Sequence, residues 1–175
     1  MVYGWAMTDS QFEIFLVATP GLEPPLCAEA QEAGFADATL VPGGVTLQGG
    51  WPEVWRANLM LRGATRVLAR IGSFRAFHLA QLDKRSKKFD WAAVLRTDVP
   101  VRVEVTCKKS KIYHAGAAAQ RIEGGLTAAG LTVAPDAKMV IKTRIDDNLV
   151  TFSVDTSGES PVSYTHLTLP TICSV

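Results

Sequence analysis

The feature that most constrains the fold is an ordered change of hydrophobic period between residues 12 and 71. Glu13-Ile14-Phe15-Leu16-Val17-Ala18 is a short apolar run of the kind that forms a strand buried on both faces. Thr19-Pro20-Gly21 interrupts it. Leu22, Leu26, Ala30 and Ala33 then recur at helical spacing, with Pro24 and Pro25 in the first turn and Gly34 as a stop. Two short strands follow, around Thr39-Leu40-Val41 and Val45-Thr46-Leu47, joined across Pro42-Gly43-Gly44. A second helix runs from Trp51 to Arg62 with Val54, Ala57 and Leu61 on one face. Arg66 to Ile71 alternates as a closing strand. The order β-α-β-β-α-β predicts a ferredoxin-like domain over residues 12–75, a scaffold that by itself specifies no chemistry.

Residues 76–160 read as a second, α/β unit. Leu79, Leu82 and the stretch Phe89 to Leu95 suggest helical segments, broken by Lys84-Arg85-Ser86-Lys87-Lys88. Val101, Val103, Val105 and Cys107 alternate with polar residues, a half-buried strand. A turn at Lys108-Lys109-Ser110-Lys111 leads past Tyr113 and His114 into a helix with Ala118, Ile122, Leu126 and Ala129 on one stripe and Gly130 as its cap. Met139 to Ile145 and Val150 to Val154 form a hairpin around Asp146-Asp147-Asn148, which reads as a turn rather than a metal pair. The expected class is therefore α+β.

Charge is distributed very unevenly along a chain whose net charge is only +1. Residues 1–55 hold seven acids and no Lys or Arg. Residues 56–121 hold fifteen Lys or Arg against four acids, and residues 122–175 hold three against six. Such a basic block is a footprint to test for a nucleic-acid partner. Its densest part combines Lys108, Lys109 and Lys111 with Ser110, Tyr113 and His114. Ammonium groups neutralise phosphates, hydroxyl and backbone N–H groups fix register, and the two rings can stack on unpaired bases. The helix beginning near Ala115 or Gly116 would add its positive end. Lys84, Arg85, Lys87 and Lys88 form a second cluster, and Arg121 can face the first across a helical turn. The residues alone equally allow a solvated basic surface, or a docking surface for another part of a larger protein.

Other chemistries find no support. Gly43-Gly44, Gly49-Gly50 and Gly124-Gly125 are isolated pairs, not a dinucleotide or phosphate loop. His78 and His114 have no nucleophile elbow beside them. Cys27 and Cys107 match no zinc spacing and fit a reducing, cytoplasmic setting. No run of 18 apolar residues exists to span a membrane, and no basic n-region of a signal peptide precedes Arg56.

The chain from Phe12 to Ser160 resembles the N-terminal half of bacterial THUMP-domain RNA methyltransferases. These are related to the ribosomal RNA guanine-N2 methyltransferases of the large subunit, and have often been labelled adenine-specific DNA methylases. The resemblance rests on Phe12-Glu13-Ile14-Phe15 through Thr19-Pro20-Gly21-Leu22-Glu23, Gly43-Gly44-Val45, Ala57-Asn58-Leu59 with Leu61-Arg62, and Arg66-Val67. It continues with Cys107-Lys108-Lys109-Ser110-Lys111-Ile112-Tyr113-His114 and Asp155-x-Ser157-Gly158-Glu159. It implies a ferredoxin-like domain followed by a THUMP domain that binds structured RNA, ribosomal RNA in the first place. RNA contact falls on the Ser110-x-x-Tyr113-His114 element and its flanking lysines. The family's Rossmann-like domain, which uses S-adenosylmethionine, would come next and is not found in this sequence. The fragment is thus expected to be non-catalytic and to hold no cofactor of its own.

Both ends call for separate treatment. Met7 offers an alternative start. Val162 to Thr171 is the translation of GTC TCT TAT ACA CAT CTG ACG CTG CCG ACG, a string that resembles the adapter of transposon-based sequencing libraries. Residues 161–175 are therefore expected to be a translated adapter and are set aside from the fold.

Overall fold

The computed structural model describes residues 11–158; the alternative start at Met7, Glu159 and the adapter-like tail lie outside that range. Its strands and helices are β1 (Phe12–Val17), α1 (Glu23–Glu32), β2 (Thr39–Val41), β3 (Gly44–Gly49), α2 (Trp51–Met60), β4 (Arg66–Arg75), α3 (Leu79–Lys88), β5 (Val101–Lys108), α4 (Ala115–Ala128), β6 (Met139–Asp146) and β7 (Leu149–Asp155). A short 3-10 turn covers Trp91–Ala93. The first six elements form the βαββαβ order, with β1 central between β3 and β4 and every pairing antiparallel. That is the ferredoxin-like half, and the class is α+β as expected.

The two halves share one seven-stranded sheet in the order β2-β3-β1-β4-β7-β6-β5. Strand β4 runs on to Arg75, well past Ile71, and pairs with β7 along nearly its whole length. The ladder shifts register between Arg70 and Gly72. A Cβ at Gly72 would run into the Phe89 ring, so glycine lets that ring lie against the strand. β5 and β6 are parallel and connected through α4, a βαβ unit added to an otherwise antiparallel sheet.

Cross-strand partners point to the same face, so the register shows where the core lies. Ala69 pairs with Val154, Val154 with Ile141, and Ile145 with Val150, all buried. This is the face that carries the helices. Leu26, Ala30, Val54 and Ala57 cover it in the first half, and Leu82, Ile122 and Leu126 in the second, as one continuous cluster. Its densest point is aromatic: Trp91 is fully buried, with its ring 4.7 Å from Phe152 and 4.5 Å from Phe89, and it donates Nε1–H to the carbonyl of Ser86 at 2.8 Å. Tryptophan tolerates such burial because its one polar group is satisfied.

The basic stretch Lys84–Lys88 does not break a helix. It is the second half of α3, an amphipathic helix whose buried residues are Leu82 and Ser86. Small Ser86 sits against Gly125 of α4, where a Cβ on the glycine would fall 2.9 Å from the Ser86 carbonyl carbon. Two small residues let the helices approach closely, and the charged side chains extend outward. The break comes at Phe89, where the chain turns to bury Phe89 and Trp91.

Among the described residues the opposite face of the sheet carries no helix, and it is laced by ion pairs. Arg66 meets the buried carboxylate of Asp155 at 2.7 Å, and Lys142 reaches Glu104 at 2.8 Å and Asp155 at 3.9 Å. Arg70 pairs with Glu13 while lying 4.3 Å over the Phe15 ring. Lys142 hydrogen-bonding and charge hold the Glu104 carboxyl below its ordinary range. A groove of about 650 Å³ runs over this face, from Lys108 and Leu149 to Phe15 and Pro42. The Asp155-x-Ser157-Gly158 stretch is a staple: Ser157 Oγ accepts the Val67 N–H at 2.7 Å, and Arg66 donates to the Gly158 carbonyl at 3.3 Å.

Candidate nucleic-acid interface

The site begins where β5 ends. Lys108 is the last residue of β5, and the six residues that follow cross to His114, which precedes the first turn of α4. One apolar side chain fixes the crossing: Ile112 is buried at 3% exposure while Lys109, Lys111, Tyr113 and His114 are all exposed. Tyr113 is 76% exposed, so it does not pack half-buried against the protein. Its ring lies 4.5 Å from that of His114 at an interplanar angle of 42°. An aromatic pair this exposed loses hydrophobic stabilisation that a stacking ligand would restore.

The loop is held in shape by an element on the other side of the sheet end. Asp147 and Asn148 form the two-residue connection of the β6–β7 hairpin, with φ of 47° and 60°. Two consecutive positive values are the signature of a type I′ turn. From there the Asn148 side-chain carbonyl accepts the Lys111 N–H at 3.0 Å and the Ser110 hydroxyl at 3.4 Å. Ser110 Oγ in turn accepts the Ile112 N–H at 3.1 Å. The Asp147 N–H reaches the Lys108 carbonyl at 3.3 Å, and the Ala76 N–H reaches the Asn148 carbonyl at 2.8 Å. Lys109 itself has φ of 46°, a left-handed conformation that a non-glycine residue keeps only when its surroundings impose it.

Electrostatically the loop is cationic at close quarters. Lys111 Nζ stands 5.8 Å from the ring centre of Phe77, which lies between β4 and α3 and is 38% exposed. The hydrogen bond from Arg144 lowers the Asp146 carboxyl below its ordinary range, and the charges of Lys108 and Lys109 act in the same direction. The first N–H groups of α4 lack any side-chain cap, so the positive end of a 14-residue helix adjoins the same loop.

The second basic cluster is elsewhere. Lys84, Arg85, Lys87 and Lys88 are exposed on α3, and Lys87 is paired with Asp83 at 2.9 Å. Phe77, just before α3, is beside Lys111, whereas Ser86 near its other end packs on Gly125 in the last part of α4. At about 1.5 Å per residue, the α3 cations lie roughly a helix length, about 10–15 Å, from the loop. Arg121 is exposed in the second turn of α4, between the two. Phe77 and Asn148 complete the site and were not singled out from the sequence as parts of it. Phe77 follows no period, and an Asn in a turn signals a left-handed φ but not what its amide holds.

No group of three or more His, Cys, Asp or Glu side chains able to hold a metal occurs among the described residues. Cys27 and Cys107 are unpaired thiols, and burial pushes the Cys107 thiol upward. Among the described residues no helix is long and apolar enough to cross a membrane.

Comparison with known proteins agrees with this architecture. Residues 13–68 match the family described as the RlmL ferredoxin-like domain. The ribosomal RNA large subunit methyltransferase K/L of Syntrophotalea carbinolica is 26% identical over 162 residues, covering 87% of this chain and 22% of that protein. The chain thus spans about a fifth of the length of its curated relative. Among solved structures, a predicted N6-adenine-specific DNA methylase from Listeria monocytogenes superposes with a TM-score of 0.71 at 23% identity, over 85% of this chain and 42% of that one. TrmN from Thermus thermophilus gives 0.64 at 15% identity, over 84% and 46%. The chain is thus similar to the ribosomal RNA large subunit methyltransferase K/L of Syntrophotalea carbinolica, with the RlmL ferredoxin-like domain matched at residues 13–68 and an α/β unit behind it.

Proposed function

We propose that this chain is an RNA-binding, substrate-targeting module of an S-adenosylmethionine-dependent RNA methyltransferase, with structured ribosomal RNA as its partner in the cytoplasm. The observation that carries this reading is the loop at 108–114, where three lysines and an exposed ring pair lead into an uncapped helix end on a backbone hydrogen-bonded to Asn148. Lys108, Lys109 and Lys111 neutralise phosphates, and the N–H groups at the start of α4 donate to a phosphate oxygen. Tyr113 and His114 stack on a base at a single-stranded end or bulge. Ser110 acts through loop shape, its hydroxyl being engaged by Ile112 and Asn148. Arg121 and the α3 cations Lys84, Arg85, Lys87 and Lys88 extend the positive field and speed encounter.

In this reading residues 12–75 are the ferredoxin-like domain and 76–160 the THUMP domain, and they deliver a nucleotide to a catalytic domain carried elsewhere in the parent enzyme. S-adenosylmethionine belongs to that domain. In this reading the module positions RNA, and the methyl transfer belongs to the catalytic domain of the parent enzyme. The support for methyltransferase chemistry is the similarity to the K/L enzyme.

The test is a filter-binding titration of the 175-residue chain with an RNA hairpin bearing a single-stranded 3′ overhang, repeated across salt. Binding whose logarithm falls linearly with the logarithm of salt supports the proposal. Salt-independent or absent binding favours the second reading, a docking scaffold for another part of the parent protein.

A further inference from the structure

We propose that Asn148 is a positioning residue of the RNA-binding loop, making the β6–β7 turn a structural part of that site. The inference rests on the RNA-binding reading above. It starts from a mismatch between what the turn needs and what occupies it. A two-residue hairpin with positive φ at both positions is formed best by Asn-Gly or Asp-Gly. Here Asp147 is followed by Asn148 at φ 60°, where glycine would carry no Cβ strain. The side chain that replaces glycine is used: its carbonyl oxygen accepts both the Lys111 N–H at 3.0 Å and the Ser110 hydroxyl at 3.4 Å.

Those two bonds fall at the middle of the loop, with Lys108 and Lys109 before them and Tyr113 and His114 after. The same turn is bonded through its backbone to Lys108 on one side and to Ala76 on the other. Ala76 leads directly to Phe77, the ring beneath Lys111. Asn148 thereby ties the end of β4, which belongs to the ferredoxin-like half, to the lysine loop of the other half. A lysine ammonium on four rotatable bonds is an imprecise phosphate ligand. Fixing the backbone at Ser110 and Lys111 lets several lysines engage phosphates together with less entropy lost on binding. Lys109 is held in its left-handed conformation within the same clamp.

Two variants separate positioning from stability. Asn148→Gly keeps the turn, since Asp-Gly is its preferred pair, and removes only the side-chain acceptor. Asn148→Asp keeps an acceptor at the same place and tolerates the same φ. Hydrogen exchange reads the clamp without RNA, and titration with the overhang-bearing hairpin RNA reads its consequence. The expected result is loss of protection at the Lys111 and Ile112 amides in Asn148→Gly, with protection retained in Asn148→Asp. RNA affinity of Asn148→Gly should fall about tenfold and its log–log salt slope by about one phosphate contact, with Tm unchanged. Retained amide protection in Asn148→Gly overturns the clamp. Lost protection with unchanged affinity and slope overturns the positioning role while leaving the RNA reading intact. A wild-type chain that shows no salt-dependent RNA binding overturns both.

Discussion

The molecule carries two clusters of four or so basic and polar groups that look alike in the sequence and differ in almost every physical respect. In the loop at 108–114 the backbone is anchored by buried Ile112 and by Asn148, and the exposed groups include an aromatic pair. On α3, by contrast, the cations project from a regular helix surface, one already paired with Asp83, with no exposed ring among them. Charge density alone does not distinguish the two. What differs is whether the fold fixes several unlike recognition groups at one point, and that is the property expected of a contact site rather than of a solvated face.

That contrast can be broken in several ways. Replacing Lys108, Lys109 and Lys111 together with Ala should weaken binding of the hairpin RNA on the order of a hundredfold at low salt, with a smaller salt slope. Filter binding across salt reads both numbers. Tyr113→Ala should cost about 1–3 kcal/mol of binding by removing one stacking surface, whereas Tyr113→Phe should keep most of it. A Tyr113→Ala chain that binds as tightly as wild type would remove the ring from the site. Gly125→Ala addresses what holds the other cluster: its Cβ falls on the Ser86 backbone, so the α3–α4 contact must open. The expected loss is about 1–3 kcal/mol of stability, read from the urea midpoint, with RNA affinity of the folded protein unchanged. The smallest effect belongs to Lys84→Ala, Arg85→Ala and Lys88→Ala combined. These should reduce affinity about threefold or less, mainly through the association rate, and the effect should vanish at high salt.

Much of the fold was legible because local period and turn chemistry agree. Gly34 and Gly130, read as helix stops, adopt φ of 89° and 84° just beyond α1 and α4. The turn at Asp146-Asp147-Asn148 is a turn. What the residues did not show is long-range pairing. Nothing local at Arg66–Arg75 marks it as a strand hydrogen-bonded to β7 as well as β1, because both its faces and both its edges look like those of any buried strand. The run Lys84–Lys88 suggested a break because charge was weighed and the small buried Ser86 was not; only contact with Gly125 gives that serine its meaning.

The site divides along the same line. Lysines and aromatic rings announce themselves by type, so the loop at 108–114 was legible in the sequence as a candidate, whereas the exposure of Tyr113 was not. Asn148 and Phe77 lie 37 and 34 residues from Lys111, and their roles come from where the sheet brings its ends.

The central claim is that the clamped loop, and not the basic charge as a whole, binds RNA. The direct measurement is the salt dependence of hairpin-RNA affinity for three chains: wild type, the Lys108/Lys109/Lys111 triple alanine variant, and the Lys84/Arg85/Lys88 triple alanine variant. Both variants remove three positive charges. The account predicts that the loop variant loses about two to three from the log–log slope and most of the affinity, while the α3 variant keeps a slope close to wild type. Equal losses from the two variants would contradict it.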